Sequence, residues 1–159
     1  MTDKNVSIMN IGSMGYLPQV FKKIENEKKL NIVYLGGSIT MGCNATKTEL
    51  RYVDRSAKWW QTNFPDAEIS YFNAGIGATD SYIGVHRAQR DALEAKPDII
   101  VIEFINDADD EFYESCMDSL VRMCLEQDNN PAVMILEPST EGGTSQGSTG
   151  LQHSYDFLS

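Results

Sequence analysis

The sequence predicts an α/β protein: a parallel, doubly wound sheet between two layers of helices, three layers in all. Three observations predict it. Short β-branched runs, Asn31–Leu35, Ile69–Phe72, Asp98–Phe104 and Ala132–Leu136, alternate with longer segments whose apolar residues recur at helical spacing. The first and third runs are almost continuously apolar, as strands covered on both faces are. Three of the four core strands end in small or polar turns, at Gly37-Ser38, Gly77-Ala78 and Asn106. In open sheets of this kind ligands bind outside the carboxyl ends of the strands, so these turns are able to converge on one site.

Composition bounds the rest. The 159 residues suffice for one domain with a real core and are too few for two ordinary ones. A formal charge of -10 argues against nucleic-acid and anionic-membrane partners, which need clustered positive charge. It suits a neutral substrate or none in particular. No apolar run reaches membrane-spanning length, and Met-Thr-Asp-Lys-Asn at the start has no signal-peptide pattern. Three cysteines, an odd number, point to reduced thiols and a cytoplasmic setting. Cys116 and Cys124 lie on one expected helix, about 12 Å apart along its axis, too far to bridge. His86 and His153 are the two histidines, and no Cys or His pair has metal-ligand spacing. No metal or cofactor is expected.

Along the chain, residues 1–15 form an N-terminal arm, with an edge-strand candidate at Val6–Ile11 and a turn at Gly12–Gly15. Pro18 suits the first turn of a helix running to about Lys29, with Val20, Phe21 and Ile24 as its apolar stripe. The strand Asn31–Leu35 then meets Gly36 and Gly37, a turn too tight for side chains, and Ser38 stands where the chain enters a helix. The first turn of a helix leaves backbone N–H donors unpaired, and these suit a developing negative charge. Ser38 is therefore the candidate nucleophile, with an ordinary βα connection as the alternative. The glycines at 36, 37 and 42 fit neither the phosphate-loop pattern nor the dinucleotide fingerprint.

Asn44–Val53 reads as a surface loop, and Asp54 as the cap of a helix burying Ala57, Trp60 and Phe64. Trp59 points about 100° away from Trp60, so one of the two is expected to be exposed. After Ile69–Phe72 the small-residue turn Asn73–Ser81 mirrors the first turn, and Asp80 caps a helix whose apolar residues are Tyr82, Val85, Ala88 and Ala92. His86, Arg87 and Arg90 are expected on that helix as surface or ion-paired residues. The third strand ends in Ile105-Asn-Asp-Ala-Asp-Asp110, and the next helix is expected to bury Phe112, Cys116, Leu120 and Met123. Asp107, Asp109 and Asp110 suit helix capping better than a hard metal. Residues 137–159 form a flexible tail rich in Gly, Ser and Thr.

Gly36-Gly-Ser-Ile-Thr40, Asn73–Thr79 and Asn106-Asp107 resemble the first three blocks of the SGNH (GDSL-like) hydrolases, on flavodoxin-like strand ends and in the right order. The resemblance covers roughly residues 16–140 and is strongest to the branch of acetyl-xylan esterases and carbohydrate deacetylases. It implies a serine esterase in which Ser38 attacks an ester carbonyl. The oxyanion would be held by the N–H of Ser38, the N–H of Ala78 and the Asn106 side chain. Gly37 stands where many members carry Asp. Ala78 stands where glycine is expected, with Gly77 as the other possible donor. Phe104-Ile-Asn-Asp lacks the usual glycine two residues before Asn. The fourth block, Asp-x-x-His, does not occur, and His153 sits in a segment resembling the helix before the last strand. The expectation is thus a single domain lacking its last βα unit. It would remove acetyl or other short acyl groups from a carbohydrate or similar small ester, with an incomplete triad. The alternatives are a non-catalytic SGNH-like binding or scaffold module, and a flavodoxin-like domain holding a small anion at the Ser38 turn.

Overall fold

The computed structural model of the protein describes residues 15–108, 110–140 and 143–144. The N-terminal arm before Gly15, Asp109 and most of the tail with His153 lie outside them. In chain order the elements are α1 (Leu17–Glu27), β1 (Lys29–Gly36), α2 (Ser38–Met41), α3 (Tyr52–Asn63), β2 (Glu68–Gly75), α4 (Ser81–Asp91), β3 (Ile99–Glu103), α5 (Glu111–Leu125) and β4 (Ala132–Ile135), followed by the two-residue strands β5 (Ser139–Thr140) and β6 (Gly143–Thr144). Among the described residues no helix is long and apolar enough to cross a membrane.

The main sheet has the order β2-β1-β3-β4, and every pairing in it is parallel. The chain leaves β1 for β2 on one side and then returns to place β3 on the other. That reversal opens a crevice at the carboxyl ends of β1 and β3, the usual place for a ligand in such sheets. Side chains alternate across the pleat. Leu30, Ile32 and Tyr34 of β1 pack with Val20 and Ile24 of α1 and Val53 of α3. Val33 and Leu35 face the opposite layer, with Ala88 of α4 and Met117 and Leu120 of α5. The expected three-layer α/β/α architecture is the one observed.

Several local expectations change. α3 begins at Tyr52, so Val53, expected in a surface loop, is fully buried. Arg51 occupies the N-cap without a side-chain cap bond, and Asp54 instead accepts from Arg51 Nε at 2.6 Å and from the Tyr71 hydroxyl at 2.9 Å. β2 continues past Phe72 to Gly75, because Asn73 and Ala74 keep register with Tyr34 and Leu35. On α5 the buried residues are Met117, Leu120, Val121 and Cys124, while Phe112 is exposed and Cys116 half-buried. Both stripes have helical spacing and share Leu120; packing of α5 against the sheet and α4 selects the second. α4 turns a small face inward through Gly84, where an added Cβ would stand 2.5 Å from the Phe104 ring, and Tyr82 is left exposed. Of the tryptophan pair, Trp59 is exposed and Trp60 half-buried, their rings edge to face at 5.0 Å.

Candidate active site

The Ser38 turn is built by close approach. α2 is a single turn lying directly on the strand ends, and a Cβ on Gly36 would collide with Thr40 Oγ1 and the Glu103 carbonyl, one on Gly75 with the Met41 amide. Gly37, at the N-cap, has no side chain with which to cap. Its N–H donates to the Glu103 carbonyl at 3.1 Å, and Met41 N–H closes the turn on the Gly37 carbonyl. The third N–H of the helix, that of Thr40, donates to Glu103 Oε2 at 3.0 Å. Among the described residues nothing accepts from the N–H groups of Ser38 and Ile39, and nothing engages the half-buried Ser38 hydroxyl.

The second turn is tied to the first. Asn73 Nδ2 donates to the Thr40 carbonyl at 2.8 Å, while its Oδ1 accepts from Gly75 N–H at 2.9 Å. Ile76 N–H donates to the Gly36 carbonyl at 3.0 Å, and the Thr79 hydroxyl donates to the Ile76 carbonyl at 2.7 Å. Ala78 has φ of 59°, the left-handed region, so a glycine-type backbone conformation is present at the position where glycine was expected. The N–H groups of Gly77 and Ala78 both lack an acceptor among the described residues.

Asn106 completes the group. Its Nδ2 donates one proton to the Thr79 carbonyl at 2.9 Å, leaving the second free. A Cβ on Gly37 would lie 3.6 Å from that nitrogen and 3.1 Å from Thr79 O, so the amide rests against the Gly37-Ser38 turn. A side chain at position 37 would be tight against the Thr79 carbonyl.

Three charged residues support these turns, and none was assigned that place from the sequence. Glu103, fully buried, accepts from Thr40 N–H, from the Thr40 hydroxyl at 2.7 Å and from Ile105 N–H at 2.8 Å. Because the Thr40 proton goes to Glu103, its oxygen accepts from the Tyr52 hydroxyl at 2.9 Å. Burial pushes the Tyr52 phenol well above its ordinary pKa. Arg87, expected as a surface or ion-paired residue, is buried and ion-paired. Its Nη1 donates to the Ala74 carbonyl at 2.7 Å and its Nη2 to the Gly36 carbonyl at 2.9 Å, with Asp91 at 3.3 Å. It links the ends of β1 and β2 from beneath. Asp107 is buried and caps α4 rather than its own helix: Oδ1 accepts from Ser81 N–H at 2.8 Å, and Oδ2 has no partner. Burial raises this carboxyl to about 6, the Ser81 N–H partly opposing it. Asp110 caps α5 by accepting from Tyr113 N–H at 3.0 Å, as expected. Among the described residues no cluster of three or more His, Cys, Asp or Glu could hold a metal. His86 is exposed and packs edge-on against Tyr82 at 4.7 Å, away from any catalytic contact.

The structure therefore brings a free hydroxyl, free backbone N–H groups and a side-chain amide to three adjacent strand ends. No family model matches the chain, and neither does any curated protein. Solved structures do. The chain is 36% identical to a two-domain esterase active on acetylated mannans, covering 91% of this chain and 40% of that one, with a TM-score of 0.82. The same esterase co-crystallised with mannopentaose gives 37% identity, 92% and 40% coverage and a TM-score of 0.85. A lipase/acylhydrolase from Enterococcus faecalis shares the fold at 19% identity, with 81% and 70% coverage and a TM-score of 0.61. The chain spans about two fifths of the length of the two-domain esterase it matches.

Proposed function

Because the chain has the fold of the SGNH/GDSL-like esterases, we propose that it carries the nucleophile and oxyanion site of a serine esterase acting on acetyl or other short acyl esters of a carbohydrate. One observation carries the reading: the unengaged Ser38 hydroxyl sits at a one-turn helix N-terminus beside Asn106, among N–H groups with no acceptor. The Ser38 oxygen adds to the ester carbonyl carbon and gives up its proton to a base. The carbonyl oxygen, now negative, is met by the N–H of Ser38, that of Ala78 or Gly77, and the free proton of Asn106. Collapse expels the sugar hydroxyl, which takes up a proton, and water then releases the acyl group from Ser38. The acidic surface suits a neutral sugar, and the likeness to an esterase active on acetylated mannans supports an acetylated oligosaccharide as substrate.

The 159 residues contain no Asp-x-x-His, and the second reading is a binding module of the same fold. Fluorophosphonate labelling read by intact mass, with acetate release from acetylated manno-oligosaccharides, separates the two. The esterase reading expects label on Ser38, none in Ser38→Ala, and acetate release lost in the same variant. Calorimetric binding of the oligosaccharide by a chain that takes no label establishes the binding module instead.

A further inference from the structure

We infer that Glu103 is a positioning residue that fixes the Ser38 turn and the Asn106 loop relative to one another. The catalytic consequence rests on the esterase reading; the structural relation does not. Glu103 closes the run Ile99-Ile-Val-Ile, at the centre of the sheet, where an ionisable side chain is destabilising unless its oxygens are satisfied. They are satisfied by the two segments that flank the crevice. Oε2 takes the N–H and hydroxyl of Thr40, two residues after Ser38. Oε1 takes the N–H of Ile105, the residue before Asn106. Its own carbonyl takes Gly37 N–H, the residue before Ser38.

The arrangement also selects which donors stay free. In an ordinary helix the N-cap side chain accepts from the second or third N–H. Gly37 cannot, so Glu103 reaches across from β3 and occupies the third. The first two N–H groups, those of Ser38 and Ile39, have no acceptor among the described residues. Glu103 is bonded to Thr40, Ile105 and Gly37 and not to Ser38 or Asn106, so it acts through them. Tyr52, donating to Thr40 Oγ1, extends the same chain of hydrogen bonds to α3.

Glu103→Gln keeps the volume but replaces one acceptor by an NH2 group, which faces an N–H donor in either orientation. One of the two connections must therefore break. Thr40→Val removes the hydroxyl and keeps the N–H; Thr40→Ser retains both. The full chain is followed by fluorophosphonate labelling of Ser38, resolved into the maximal rate and the probe's half-saturation, below each variant's melting midpoint, and by 15N–1H spectra. We expect Glu103→Gln and Thr40→Val to lower the maximal rate by about ten- to a hundredfold at unchanged half-saturation. Thr40→Ser should restore it to within about threefold. The Ser38 backbone and Asn106 side-chain amide signals should shift together in the two impaired variants. Rates within about twofold of the parent, or Ser38 and Asn106 signals that stay in place, overturn the inference. Should Glu103→Gln fail to fold, the two Thr40 variants decide by the same criteria. An unlabelled parent chain refutes the esterase reading alone, and joint or absent movement of the two signals then upholds or overturns the role of Glu103.

Discussion

Arg87→Met tests whether the floor of the site is held by one buried guanidinium. Methionine fills most of the aliphatic space and removes both donors. The Ala74 carbonyl loses a charge-assisted hydrogen bond of 2.7 Å, an interaction of about 1.5–3 kcal/mol. The Gly36 carbonyl also accepts from Ile76 N–H, so its loss is smaller, about 1 kcal/mol. Part of this is returned, because burial disfavours the cation and holds the Arg87 pKa below its usual value. The net destabilisation is about 2–3 kcal/mol, which in a chain of this length corresponds to a fall in Tm of roughly 4–12 °C. Urea unfolding followed by far-UV circular dichroism measures it, with Arg90→Met as control. Arg90 lies on the same helix, bonds the same Asp91, and is 76% exposed, so its loss should leave the midpoint in place. Equal midpoints for the two variants would refute the reasoning, since Arg87 would then be only a surface charge.

Asn106→Ala should lower the rate of Ser38 acylation by about a hundred- to a thousandfold with KM unchanged, as loss of an oxyanion donor does; a rise in KM at constant kcat would make it a binding residue. Asp107 binds its proton more tightly folded than unfolded, so the stability it contributes falls as pH rises from 3.8 to about 6. Asp107→Asn should accordingly gain on the order of 2–3 kcal/mol over the parent in urea melts at pH 7 and nothing at pH 3.5; equal differences at both pH values would count against it. Ala78→Gly should raise stability by about 0.5–1 kcal/mol, the strain of a left-handed alanine less the added unfolded-chain entropy; a lower melting midpoint would refute this.

The strands were legible because buried parallel strands leave dense Ile and Val runs, and the helices because their stripes repeat. That Ser38, Ala78 and Asn106 stand at strand ends was legible from the small and polar turns after the apolar runs, while the roles of Ala78 and Asn106 came from the family resemblance. What surrounds them was not. Arg87 shares a helical face with Gly84 and Ala88, and that placement beside the sheet-facing glycine was the available signal that it points inward. Glu103 stood as a charge at the end of an unbroken apolar run, which requires buried partners without saying which. Ile105 is a local partner two residues on, whereas Thr40 and Gly37 are brought to it by the pairing of β3 with β1. The buried stripe of α5 was missed for a related reason: two stripes through Leu120 are equally periodic, and only docking chooses between them.

The one-turn helix that presents Ser38 also constrains when reactivity arises during folding. A helix of four residues does not persist alone, because nucleating a turn is unfavourable and there are no further residues to recover that loss. Its support comes from residue 73 on one side and residue 103 on the other, so the turn is complete only after both parallel crossovers have closed. A chain emerging from the ribosome therefore carries an ordinary serine at position 38 until β3 has joined β1. On the esterase reading the chemistry is withheld from partly folded forms, and labelling of Ser38 becomes a direct clock for the pairing of β3 with β1.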